Sequence, residues 1–231
     1  MRTLVTGANR GIGLELVRQL RERGDEVEAC ARSPQQASEL QALASDRVRI
    51  HRVDVTDVSS IRALAQSLGD AAIDILFNVA GVYGGPRQSV RQMADDLELA
   101  DVASTFEINA IGPLRMSVAL LPQLRRGGAK KIVSLTSGMG SISDNTSGGY
   151  YAYRMSKAAL NMMTRSLAVD LASEGITAFV INPGWVQTDM GGAHAPTPVT
   201  DSVRGILHEV DRATKDDSGQ FLNWNGKRYA W

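Results

Sequence analysis

The chain has 231 residues, 43% hydrophobic, 22% charged and 5% aromatic. That is enough for one sizeable core and unlike the composition of disordered, collagenous or membrane proteins. Twenty-five basic side chains balance 25 acidic ones, so there is no overall positive field to gather nucleic acid or anionic lipid, and any partner must be recognised by a local site. One cysteine, Cys30, makes neither an internal disulfide nor a zinc cluster. No signal core follows Met1 and no apolar run reaches membrane-spanning length, so the expectation is a cytoplasmic chain with no membrane or nucleic-acid partner.

Short apolar runs rich in Val and Ile alternate with longer helical patterns, the rhythm of repeated βαβ units. Strands are predicted at 3–6, 26–31, 49–53, 73–79, 131–135, 178–181 and 220–224. Helices are predicted at 12–23, 35–43, 59–67, 93–121 with a break near Gly112-Pro113, 151–172 and 200–209. Strands this continuously apolar are buried on both faces. The expected fold is therefore α/β, a Rossmann-type doubly wound parallel sheet with helices on both faces, as a single domain over 1–231. In such sheets ligands sit beyond the carboxyl ends of the strands, so the loops after the strands carry the search for function.

The first such loop reads Thr6-Gly7-Ala8-Asn9-Arg10-Gly11-Ile12-Gly13 and opens a helix. Gly7 permits a tight turn, Gly11 lets backbone approach a pyrophosphate, and Gly13 lets the helix pack close to the strand. Alone, the pattern also suits an ordinary strand-to-helix turn; at this place it reads as a dinucleotide cradle. NAD-binding versions carry an acidic residue after the second strand. Here the stretch is Cys30-Ala31-Arg32-Ser33. Arg32 and Arg10 can clamp a 2′-phosphate with Ser33 as a further donor, which favours NADP(H) over NAD(H), unless both arginines are simply solvated. Asp54, beside Val55, can accept from an exocyclic amine, while Asp57 suits a helix cap. Asn78-Val79-Ala80-Gly81 ends the fourth strand with small residues that let a flat ring approach.

Chemistry enters at Ser137 and at Tyr153 and Lys157, four apart on one helical face. A positive charge beside a phenol favours its ionisation, so Lys157 is expected to lower the tyrosine pKa, and Ser137 can hold the oxygen with which Tyr153 exchanges a proton. No metal is expected: His51, His194 and His208 lack ligand spacing. Arg125, Arg126, Lys130 and Lys131 read as a solvated strand entrance.

Taken together these residues resemble the short-chain dehydrogenase/reductase family, in order over roughly 3–190, and most closely its carbonyl reductase, sniffer and C-factor branch. The resemblance implies that Tyr153 is the general acid, that Lys157 binds the nicotinamide ribose, and that Ser137 orients the carbonyl. It implies that Asn109 holds a relay water, and that Pro183, Gly184, Val186 and Thr188 fix the nicotinamide. With the cradle residues Gly7, Asn9, Arg10, Gly11, Ile12 and Gly13, the implied activity is NADP(H)-dependent reduction of a ketone, aldehyde or quinone-like carbonyl by a homodimer or homotetramer. The alternative is a cofactor-binding signalling protein with little turnover. Two features depart from the family pattern: Val79 replaces an Asn, and Ser137 and Tyr153 lie sixteen apart, so the loop 138–151 is expected to shape the substrate site. Trp185, Met190, Met139 and Tyr83 are candidate pocket walls or core, and 191–198 is a candidate lid or a plain surface connection.

Overall fold

In the computed structural model, which describes residues 1–85 and 99–231, seven parallel strands form one sheet in the order β3-β2-β1-β4-β5-β6-β7. They are β1 Arg2–Thr6, β2 Glu26–Ala31, β3 Val48–Arg52, β4 Ile75–Asn78, β5 Lys131–Leu135, β6 Thr177–Asn182 and β7 Phe221–Asn223. All seven predicted strands are present, each within two residues of its expected ends. Alternation along the strands feeds two cores. Val5, Val27, Phe77, Val133 and Phe179 face one side of the sheet; Leu4, Leu76, Ile132 and Ala178 face the other.

The first core is covered by α1 (Gly11–Glu22) through Leu16 and Leu20, and by α8 (Val199–Arg212) through Val203, Ile206 and Val210. The second is covered by α3 (Val58–Leu68), by α5 (Gly112–Ala119) and by α7 (Tyr151–Asp170). Asp57 is the N-cap of α3, its carboxylate accepting from the Ser59 amide at 2.8 Å. Between β2 and β3 the expected helix 35–43 is instead a 3-10 turn, Pro34–Gln36, followed by the short α2, Ser38–Gln41. Ala37, at φ −101° and ψ 70°, breaks the two apart, and both Ala37 and Leu40 reach the core.

The long helix expected over 93–121 begins outside the described residues, and within them it runs differently from expectation. Chain direction is kept through α4 (Ala100–Phe106), a π-helical turn (Glu107–Ile111) and α5, then breaks at Leu120 before α6 (Leu121–Arg126). No break falls at Gly112-Pro113. Proline lacks an amide hydrogen and its ring crowds the preceding turn; the wider π turn just before Pro113 relieves that conflict and carries Asn109 toward α7. Among the described residues no helix is long and apolar enough to cross a membrane.

Candidate active site

The direction of strand order reverses between β1 and β4, where neighbouring loops diverge and leave a crevice. A cleft of about 1290 Å³ opens there. Gly7, Asn9, Arg10, Gly11, Ile12, Gly13, Arg32, Ser33, Asp54, Val55, Ala80, Gly81, Pro183, Gly184, Val186 and Thr188 line it, together with Ser137, Tyr153 and Lys157. Two expected residues do not.

One end of the cleft is built by backbone. Gly7 has φ +67°, and a Cβ there would lie 2.8 Å from the Ala80 Cα; a Cβ on Gly13 would lie 2.2 Å from the Gly7 carbonyl oxygen. Both are closer than a real side chain tolerates, so these positions require glycine. Thr6 Oγ1 ties the crevice walls, accepting from the Val79 and Ala80 amides at 2.9 and 3.1 Å and donating to the Phe77 carbonyl. The N-cap of α1, Arg10, makes no side-chain cap, so the amides of the first turn remain open to the cleft. Open amides at the positive end of a twelve-residue helix fit a pyrophosphate. The residues present therefore suit a dinucleotide.

The charges at this end differ from one another. Arg32 is exposed and has no ion-pair partner among the described residues. Arg10 instead reaches across to Asp189 at 3.2 Å, with both side chains mostly in water. Asp54 Oδ1 accepts from the amide and hydroxyl of Thr56, fixing its own turn.

The other end is built by side chains. Ser137 Oγ accepts from the Met139 amide at 3.1 Å, which leaves its hydroxyl hydrogen free to donate. Burial pushes the Tyr153 phenol up to about 12, an effect the hydrogen bond with Ser137 opposes. Lys157 Nζ donates to the Leu135 carbonyl at 2.8 Å and stands 5.7 Å from the Tyr153 ring centre, and burial pushes it down to about 8. Burial outweighs the Ser137 hydrogen bond, so the phenol stands above its ordinary value in this structure. With its phenol near 12, Tyr153 is protonated at neutral pH.

Asn78 and Asn109 are the two that do not line the cleft. Asn78 is buried and donates to Ser117 Oγ at 3.2 Å, so its amide braces the sheet against α5 instead of reaching the cleft. Asn109 in the π turn is also buried. Its amide donates to the Val82 carbonyl and Ser156 Oγ, and its Oδ1 accepts from the Val82 amide. Both of its N–H groups are committed, and its side chain serves to pin the chain after β4 to α7.

Further residues complete this end, and of these the sequence offers Tyr83 as a candidate pocket wall. Tyr83 packs 4.8 Å from Tyr153 and 5.4 Å from Tyr150, between ring centres. Arg154 lines the cleft beside them, and Tyr229 folds back over Gly138, its hydroxyl donating to Asp144 at 2.8 Å. For Arg154 the local hint is the cluster of tyrosines around 150–153; Tyr229 is brought in by stacking on Phe221, with ring centres 4.9 Å apart.

The short chain dehydrogenase family matches residues 2–198. The chain belongs to that family. It is 47% identical over 171 residues to the C-signal protein of Myxococcus xanthus, covering 74% of this chain and all of that one. Among solved structures it is similar to the carbonyl reductase Sniffer of D. melanogaster, with TM-score 0.92 and 32% identity over 100% of this chain and 99% of that one. It is also similar to an NADPH-bound carbonyl reductase from chicken fatty liver, with TM-score 0.90 and 37% identity, covering 100% and 98%.

Proposed function

We propose that this chain is an NADP(H)-dependent carbonyl reductase acting on a ketone, aldehyde or quinone-like group. The observation that carries the reading is the meeting, in one cleft, of an all-backbone cradle with Ser137, Tyr153 and Lys157. Bound in the cradle, the dinucleotide supplies hydride. A carbonyl oxygen placed between Ser137 and Tyr153 receives the Ser137 hydroxyl hydrogen bond and takes the phenol proton as its carbon gains hydride, leaving an alcohol. The Lys157 ammonium behind the ring favours the tyrosinate formed in that step. Asn109 is a positioning residue.

Arg32, with no ion-pair partner among the described residues, reads the 2′-phosphate, with Ser33 beside it and Arg10 released from Asp189 to join. Pro183, Gly184, Val186 and Thr188 hold the nicotinamide end. Thr188 Oγ1 accepts from the Gly191 amide at 3.1 Å, and this contact supports reading the 191–198 segment as a lid over that end. Exposed apolar side chains on two helices, Leu114 and Val118 on α5 and Met155, Met162 and Val169 on α7, fit the interface of a homodimer or homotetramer. A cytoplasmic setting suits the buried free thiol of Cys30.

A second reading, a cofactor-binding signalling protein, is favoured by the similarity to C-signal. The two separate in one cuvette. Titration with NADPH and NADH, then addition of aldehydes, ketones and quinones, is expected to show tighter NADPH binding and turnover. Binding with no turnover on any carbonyl favours the signalling reading.

A further inference from the structure

Arg154 follows Tyr153 directly and lines the same cleft. Its Nη1 donates to the Met139 carbonyl at 3.5 Å and its Nη2 to Ser147 Oγ at 2.8 Å. Its Nε is buried and meets no acceptor among the described residues. A guanidinium offers five hydrogens in a fixed plane; among the described residues two are used, and both partners are neutral. The three carboxylates that line the cleft are engaged elsewhere: Asp54 by Thr56, Asp189 by Arg10 and Asp144 by the Tyr229 hydroxyl. Among the described residues a half-buried cation has therefore lost hydration without gaining a counter-charge, a costly arrangement unless a ligand completes it.

The surroundings point the same way. Arg154 lies in the first turn of the twenty-residue α7, whose N-cap, Tyr150, makes no side-chain cap, so the helix dipole adds positive potential. Tyr83, Tyr150 and Tyr153 form an apolar wall beside it, with Tyr153 carrying the proton. The other cations of the cleft are placed differently: Arg10 and Arg32 stand at the cradle end, and Lys157 Nζ is buried against the Leu135 carbonyl.

We propose that Arg154 is a specificity residue for substrates that carry a carboxylate apart from the carbonyl to be reduced, so that the substrate class is oxo acids with an apolar spacer. This rests on the reductase reading. The planar donors of a guanidinium match a carboxylate in two-point contact, and the tyrosine wall fits the spacer between the two ends.

The probes are 4-carboxybenzaldehyde and its methyl ester, which differ in charge at one position. The wild-type protein is expected to favour the acid by on the order of tenfold or more in kcat/KM, the effect of a charged hydrogen bond. Arg154→Met collapses that ratio to near one through the KM of the acid, and Arg154→Lys keeps part of it. A merely structural Arg154, pinning the loop at Ser147, would lower both substrates together and leave the ratio alone. A ratio near one in the wild type, or an unchanged ratio in Arg154→Met, overturns the proposal. Calorimetric binding of the same two probes to protein loaded with NADP⁺ reads the preference without turnover. Acid-selective binding with no reduction upholds the role of Arg154 and removes the reductase reading, whereas equal reduction of both probes does the reverse.

Discussion

The two ends of the cleft are made of different material. At the β1–α1 end the contacts are amides and glycines whose missing side chains set the shape, and the geometry follows from a few consecutive residues. At the α7 end the surface is made of Tyr83, Ser137, Tyr153, Arg154 and Tyr229, drawn from distant segments and joined by stacking and side-chain hydrogen bonds. Backbone cradles hold what many proteins share, a dinucleotide. Side-chain surfaces decide which substrate is taken, because a loop residue can change without disturbing the sheet.

Each end can be damaged separately. The largest effect is expected for Tyr153→Phe, which removes the proton donor and should lower kcat by about 10²–10⁴ while NADPH still quenches protein fluorescence. Loss of NADPH binding in this variant would merge the two ends into one. Gly13→Ala places a Cβ 2.2 Å from the Gly7 carbonyl oxygen. It should cost about 1–3 kcal/mol in denaturant titration and weaken both nucleotides alike. Arg32→Ala should weaken NADPH but not NADH by about 1–3 kcal/mol, read in parallel binding titrations; equal losses would remove the 2′-phosphate assignment.

The smallest effect is a pH dependence. Burial holds Lys157 near 8, below its usual 10.5. The reduction rate should decline as pH rises past about 8 and the ammonium is lost. Between that value and 10.5 the unfolded chain binds more protons at this group, so the contribution of Lys157 to stability rises with pH over the same window. Rate and stability therefore move in opposite directions, and a rate loss accompanied by melting would point to unfolding instead.

The same contrast explains what could be read from the residues alone. Strand positions, the glycine cradle and the Tyr153–Lys157 spacing are local patterns, set by backbone conformation and helical period, and all are present. The inward turn of Asn78 toward Ser117 depends on α5, and the commitment of Asn109 to Val82 and Ser156 depends on three segments meeting. Helix continuity through Pro113 required a π turn that no residue preference announces. The raised phenol pKa of Tyr153 reflects burial, which a spacing of four cannot report. Tyr229 reaches the cleft through packing on Phe221, and no motif marks it.

The central claim is that Tyr153 and the cradle act together on a carbonyl. It is tested most directly by supplying NADPH deuterated at the transferring carbon of its nicotinamide, with an aldehyde that the wild-type protein consumes. The account predicts deuterium on the former carbonyl carbon of the alcohol product, and none of that product beyond background from Tyr153→Phe. Deuterated alcohol formed equally well by the phenylalanine variant would contradict it.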